Sequence, residues 1–355
     1  MSTPSEPHRV LSYVDALCEA VEQEMERDSS VFLFGLDVDD HKAIQGSTRG
    51  LQARFGPSRV FNTPLSEDAM TGVAIGAAMA GMRPIHVHIR MDFLMLCMNQ
   101  LVNIAAKAHY MYGGQVRVPM VVRSMIGKSW GQGAQHSQGL YSMFMHVPGL
   151  KVVVPSNAYD AKGGLIAAIR DDNPVIFVEH RLLYGTKTHV PADPFAIEIG
   201  RARICSRGDD ITIVGISNMV VEALHARDLV REVGINPEVI DPVSLIPLDI
   251  DTIFESALRT RRLLVIDNGW TACGAGAEII TQVIERAGSV AGIQMRRLGF
   301  APTACPTTPA LERLFYPNPS TIASAINEMV GGPGGWSPDP DRVNLGQKEQ
   351  FRGPF

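Results

Sequence analysis

The feature that most limits the possible folds is a repeated alternation of short apolar runs with segments whose apolar residues recur at helical spacing. Val10, Leu11, Val14, Leu17, Val21 and Met25 follow the helical pattern, Asp28-Ser29-Ser30 interrupts it, and the apolar run Val31 to Phe34 comes next. The same reading predicts strands at Arg59–Asn62, Pro84–Ile89, Met120–Arg123, Val152–Val154 and Val175–Val178. It places helices near Asp68–Ala80, Phe93–His109, Ser137–Met145 and Ala158–Arg170. Strands that are apolar on both faces and separated by helices belong to a parallel sheet covered on both sides.

A second series follows Leu182 to Ile197 (LLYGTKTHVPADPFAI), which is rich in turn residues and reads as a linker. Strands are expected at Ile211–Val214, Pro237–Ile240, Leu263–Ile266 and Gly292–Arg296. Helices are expected at Met219–Val233, Asp249–Ala257, Gly274–Ala287 and Ser320–Met329. The last 23 residues (333–355) are rich in Gly, Pro and charge and suit an irregular arm. The fold class is therefore α/β, with two doubly wound, mainly parallel domains.

A net charge of −5 gives no reason to bind nucleic acid or anionic lipid. The longest weakly polar run, 69–82, is short of the roughly 20 residues that span a bilayer. The first residues, MSTPSEPHRV, show no export signal, and the five cysteines include no CxxC pair. These features point to a cytoplasmic protein with reduced thiols. GAGAEI (274–279) lacks the spacing of a dinucleotide loop, so its glycines are expected only to let a helix start close to the sheet.

Three places carry chemistry. Glu67 stands in the first turn of a helix, where negative charge is favoured, among small residues that imply close packing; capping and a buried chemical role both fit. His136 lies in a loop containing Gly127, Gly131 and Gly133, ahead of a helix expected from Ser137, where an imidazole is well placed for proton transfer. His86 and His88 point to one face of a strand that leads to Arg90. They face either a polar cavity or subunit interface, or a core in which they are satisfied.

FNTPLSEDAMTGVAIGAAMAGMRPI, DFLMLCMNQLVNIAAKAHYMYGG, GAQHSQ, HVPGLKVVVPSNAYDAKGGLIAAIRDDNPVIFVEH and VIDNGW together resemble the β subunits of thiamine-diphosphate-dependent 2-oxoacid dehydrogenases. The pyruvate, branched-chain 2-oxoacid and acetoin enzymes form that family. The resemblance runs from about Val10 to Met329. It implies a pyrimidine-binding domain over 1–185, a linker over 186–199, a transketolase-type C-terminal domain over 200–332 and a tail over 333–355. It makes Glu67 the acid that hydrogen-bonds the cofactor's aminopyrimidine and so promotes loss of its C2 proton. Phe93 would stack on the pyrimidine, and His136 would contact substrate. A potassium site would map to Met120, Ala168, Ile169, Asp171 and Asn173.

The family's GDG…Asn motif for Mg²⁺ and diphosphate is missing. The nearest string is Arg207-Gly208-Asp209-Asp210. The resemblance thus implies an α subunit holding Mg²⁺, an α2β2 heterotetramer, and transfer of the acyl unit to a lipoyl carrier on an acyltransferase core. One departure is Leu36, which follows Gly35 where the family commonly has glutamate. Others are His86, His88, Arg90, Lys128 and Trp130, which suggest an anionic or larger substrate or a contact with α. Leu36 also motivates an alternative, a carboligase that transfers a two-carbon unit to an aldehyde.

Overall fold

A computed structural model describes residues 9–40, 42, 44–127, 131–288 and 292–339. Lys128 and Trp130, and the tail from 340 onward, lie outside the described residues. The first half supplies β1 (Val10–Ser12), β2 (Val31–Gly35), β3 (Val60–Asn62), β4 (Arg83–His88), β5 (Val121–Ile126), β6 (Lys151–Val153), β7 (Val175–His180) and β8 (Lys187–His189). The second half supplies β9 (Arg203–Ser206), β10 (Ile211–Gly215), β11 (Pro237–Asp241), β12 (Ser244–Ile246), β13 (Arg262–Trp270) and β14 (Gln294–Phe300).

Among the described residues these strands form three sheets. The largest has the order β12-β6-β7-β5-β4-β2-β3, and the second has the order β14-β13-β10-β11-β9. All pairings in the large sheet are parallel except β12 with β6, and all in the second are parallel except β9 with β11. The α/β reading holds, and the central strands of the two larger sheets (β2, β5, β7, β10 and β11) are buried on both faces as parallel strands require. In β4, Ile85 and Val87 enter one apolar core, while Phe34, the β2 partner of His86, enters the other.

Three local expectations are corrected. The helix expected from Val10 begins at Tyr13, because Val10–Ser12 pairs antiparallel with Lys187–His189, inside the segment read as a linker. A two-stranded pair whose partners stand 175–179 residues apart leaves no local periodicity to read. The single helix expected over Phe93–His109 is broken into a helix at Met91–Leu94, a 3₁₀ turn at Met95–Cys97, a wide π turn at Asn99–Ala105 and a helix at Ala106–Met111. The helix expected from Ser137 starts only at Tyr141. The chain before it crosses β13 so closely that a Cβ on Gly139 would lie 1.7 Å from the Asn268 carbonyl oxygen.

The two halves are tied by buried polar contacts. Tyr141 donates to Asp267 and accepts from Asn268 N at 3.0 Å. Asp267 also accepts from Gly276 N at 3.0 Å, at the first turn of the helix Ala275–Ala287. A Cβ on Gly276 would meet Val265 at 3.2 Å, so this glycine does let the helix approach the sheet. Ser156 donates to Asp241, joining the start of the helix Ala158–Arg170 to the end of β11.

Candidate active site

The residues singled out from the sequence fall at two opposite edges of the large sheet. Glu67, Phe93 and His136 follow the C-terminal ends of β3, β4 and β5, the edge where open parallel sheets bind ligands. Met120, Ala168, Ile169, Asp171 and Asn173 gather at the N-terminal edge, around the end of the helix Ala158–Arg170.

At the C-terminal edge, Phe93 sits in the short helix Met91–Leu94 and keeps 37% of its surface exposed. His136 meets it edge to face, with ring centroids 5.1 Å apart and planes at 79°. The histidine closes a 3₁₀ turn, Gly133–Gln135, held by its own N–H to the Gly133 carbonyl at 3.5 Å. Gly131 and Gly133 pack on the 305–307 segment of the second half; a Cβ at Gly131 would lie 2.3 Å from the Thr307 carbonyl oxygen. The glycines therefore fix this loop against the second domain.

Glu67 is the first residue of the helix Glu67–Met79 and is half-buried. Its carboxylate takes no hydrogen bond from another described residue. It lies near Cys97, whose thiol is pushed up to about 11 by burial and further by the Glu67 and Asp68 charges. Asp92, beside Phe93, accepts from Gln138 N at 3.2 Å and Gln138 Nε2 at 2.9 Å, and burial raises its pKa. That pair anchors the segment after His136 to the segment that carries Phe93.

His86 and His88 do share a face. His86 stacks on Phe34 with centroids 4.5 Å apart, and His88 Nε2 lies 3.3 Å from His86 Nδ1. Thr71 Oγ1, one helical turn after Glu67, lies 3.4 Å from the same His86 nitrogen. Burial holds His88 down to about 4 and lowers His86 also, so both imidazoles are neutral at pH 7. The chain turns at Gly35, where a Cβ would lie 2.4 Å from the Val87 carbonyl oxygen. Asp37 is therefore off the strand, exposed, with φ 57°.

At the opposite edge, Arg83 donates to the carbonyls of Ile169 (3.0 Å) and Asp171 (2.9 Å). Asp171 N donates to the Ala168 carbonyl at 3.3 Å, and Val175 N to the Met120 carbonyl at 3.0 Å. The Asp171 carboxylate receives Asn173 N (2.9 Å), Asn173 Nδ2 (3.1 Å) and the Lys151 ammonium. Among the described residues no cluster of three or more His, Cys, Asp or Glu could hold a metal ion. No described helix is long and apolar enough to cross a membrane.

Sequence reading missed Gln45, Gln132 and Arg181, which come together beside Arg90 only through the fold. Their sole sequence signal was the unusual Arg90 itself.

Two family models match this chain: the pyrimidine-binding domain of transketolase over residues 9–187 and the transketolase C-terminal domain over 200–322. The chain is 44% identical over 336 residues to the acetoin:2,6-dichlorophenolindophenol oxidoreductase subunit beta of Cupriavidus necator, covering 91% of this chain and 98% of that one. It is 41% identical over 315 residues to the pyruvate dehydrogenase E1 component subunit beta of Rickettsia bellii, covering 89% and 97%. Among solved structures, a split-gene transketolase described as an inactive beta4 tetramer shares the fold. Its TM-score is 0.72 at 20% identity, over 90% of this chain and 98% of that one. The chain thus belongs to the transketolase-fold family of β subunits of thiamine-diphosphate-dependent 2-oxoacid and acetoin dehydrogenases.

Proposed function

We propose that this chain is the β half of a heterotetrameric α2β2 enzyme that decarboxylates a 2-oxoacid, or cleaves a related 2-oxo compound, and passes the acyl unit to a lipoyl carrier. The observation that carries it is the contact between Phe93 and His136 at the sheet edge that also presents Glu67. Thiamine diphosphate would supply the carbanion that attacks the 2-oxo carbon. The residues fit such a group. Phe93 offers an exposed ring face, and Glu67 offers a half-buried carboxylate that no described residue occupies. Glu67 would hold a proton at the pyrimidine nitrogen, which a carboxyl group can share and an amide cannot. His136 would orient the substrate and move a proton at its oxygen.

Magnesium and the diphosphate would be held by the α subunit. Support for such a partner comes from the apolar side chains left bare around Glu67: Leu65 is 77% exposed, Leu96 59% and Val73 53%, and nothing lies within 4 Å of a Cβ built on Gly76. A potassium ion would have the carbonyls of Met120, Ala168, Ile169 and Asp171, and Asn173, as oxygen donors. Each carbonyl has a second lone pair, but the cations Arg83 and Lys151 already serve part of the set. Five unpaired thiols suit a cytoplasmic setting. Identities of 40–44% to dehydrogenase subunits favour this reading over a carboligase, whose nearest support is a fold-level likeness at 20% identity.

The test is to purify the chain with its α partner and measure reduction of an artificial electron acceptor across a panel of 2-oxoacids and acetoin. Turnover with at least one is expected. A complex that binds thiamine diphosphate yet turns over none of them would overturn the proposal.

A further inference from the structure

The Phe93–His136 contact joins two segments with little internal structure to hold them in place. Phe93 stands in a helix of only four residues, Met91–Leu94. His136 closes a 3₁₀ turn of three, Gly133–Gln135, through its own N–H, 3.5 Å from the Gly133 carbonyl. Single turns make too few hydrogen bonds to offset the entropy of fixing their residues, so neither segment sets its own geometry. What crosses between the two segments sets it instead.

Polar ties cross on either side of His136. Arg90 donates to Gln132 Oε1, four residues before the histidine. Asp92 Oδ1 accepts from Gln138 N at 3.2 Å and from Gln138 Nε2 at 2.9 Å, two residues after it. Arg90 and Asp92, just ahead of Phe93, thus bracket the segment that carries the imidazole. The Asp92 tie is the stronger restraint, because one oxygen takes both the main-chain and the side-chain donor of Gln138 and so fixes its backbone. Asp92 is 9% exposed; burial raises its pKa, and the two Gln138 donors lead the influences that oppose the rise. Beyond Gln138 the chain is confined from the other side, where Gly139 lies against the Asn268 carbonyl and Tyr141 donates to Asp267.

We propose that Asp92, acting through Gln138, is a positioning residue that sets where His136 stands relative to Phe93. This role rests on the proposed function of those two residues. It requires an acceptor oxygen at Oδ1, and it requires neither a charge nor a proton. Asp92 Oδ2 makes no hydrogen bond with a described residue, so an asparagine can keep both contacts to Gln138.

The αβ complex is prepared as wild type and with Asp92→Ala, Asp92→Asn, His136→Ala and the Asp92→Ala, His136→Ala pair. Melting temperatures check that each variant folds; Asp92→Ser, whose hydroxyl falls short of Gln138, replaces Asp92→Ala if that variant does not assemble. Crystal structures of the complex give the Phe93–His136 centroid distance, which needs no turnover, and kinetics and cofactor titration give kcat and the thiamine diphosphate Kd. Asp92→Ala should change the ring distance by about 1 Å or more and lower kcat by about tenfold or more, with the cofactor Kd within about threefold of wild type. Asp92→Asn should restore the wild-type ring distance and most of kcat. In the His136→Ala background, Asp92→Ala should lower kcat no further, since both act on one group. An unchanged ring distance in Asp92→Ala, a loss in Asp92→Asn as large as in Asp92→Ala, or losses that multiply in the double variant would each overturn the proposal. Ring distances that behave as stated in a complex that turns over no 2-oxo compound would instead count against the proposed function alone.

Discussion

His136 and Phe93, 43 residues apart in sequence, meet edge to face at 5.1 Å, and the contact joins the glycine-bearing loop after β5 to the short helix after β4. An imidazole positioned by a ring edge keeps its nitrogens available to a ligand, while the ring keeps one face for stacking. Removing either partner should therefore affect different quantities. In the αβ complex, Phe93→Ala is expected to weaken thiamine diphosphate binding by about tenfold. His136→Ala should leave that affinity near wild type and lower kcat by about 10²–10⁴-fold. Cofactor titration and steady-state kinetics on the two variants check this division.

Glu67 is half-buried at a helix start and takes no hydrogen bond from another described residue, as the proposed cofactor contact requires. Glu67→Gln keeps shape and removes the ability to share a proton. Deuterium exchange at C2 of the bound cofactor, followed by NMR after acid quench, should slow by about 10²-fold or more. Exchange at the wild-type rate would exclude Glu67 from the proton path.

Gly139 has no room for a side chain, since a Cβ would sit 1.7 Å from the Asn268 carbonyl oxygen. Gly139→Ala should push the 136–140 segment off β13, lower stability by about 1–3 kcal/mol and reduce activity by more than that loss implies. Chemical denaturation and the acceptor assay on the same preparation separate the two effects.

Asp241 is fully buried at the junction of the halves, and burial, then the neighbouring Asp160 charge, raises its carboxyl to about 7. Ser156, the Val243 N–H and Arg203 oppose that rise. The folded chain keeps the Asp241 proton after the unfolded chain has lost it, from near pH 4 up to about 7. Within that window the group makes stability fall as pH rises, by at most about 1.4 kcal/mol per pH unit, and above it the loss is complete. Melting temperature measured from pH 4.5 to 8 should show a flatter profile for Asp241→Asn than for wild type.

Much of the fold was legible because strand and helix periods are local. The helix Ala158–Arg170 was read with its observed ends, and β2 to within one residue. Its capping helps explain this: Asn157 accepts from Asp160 N at 3.0 Å, a signal contained within four residues. By contrast, β12 (Ser244–Ile246) follows the linker in sequence yet completes the first sheet, and nothing near it in sequence shows β6 as its partner.

The candidate site divides the same way. Glu67, Phe93 and His136 were found in the sequence because each stands in a recognisable string, and Arg90 was noted as unusual. The sequence by itself determined the two-domain α/β fold and the family, since these depend on residue type and short-range spacing. Only the tertiary structure decided that Phe93 touches His136, that His86 and His88 are neutral core residues, and that Arg181 and Gln132 close around Arg90. Those outcomes depend on strand order, register and desolvation, which are set when distant segments pack together.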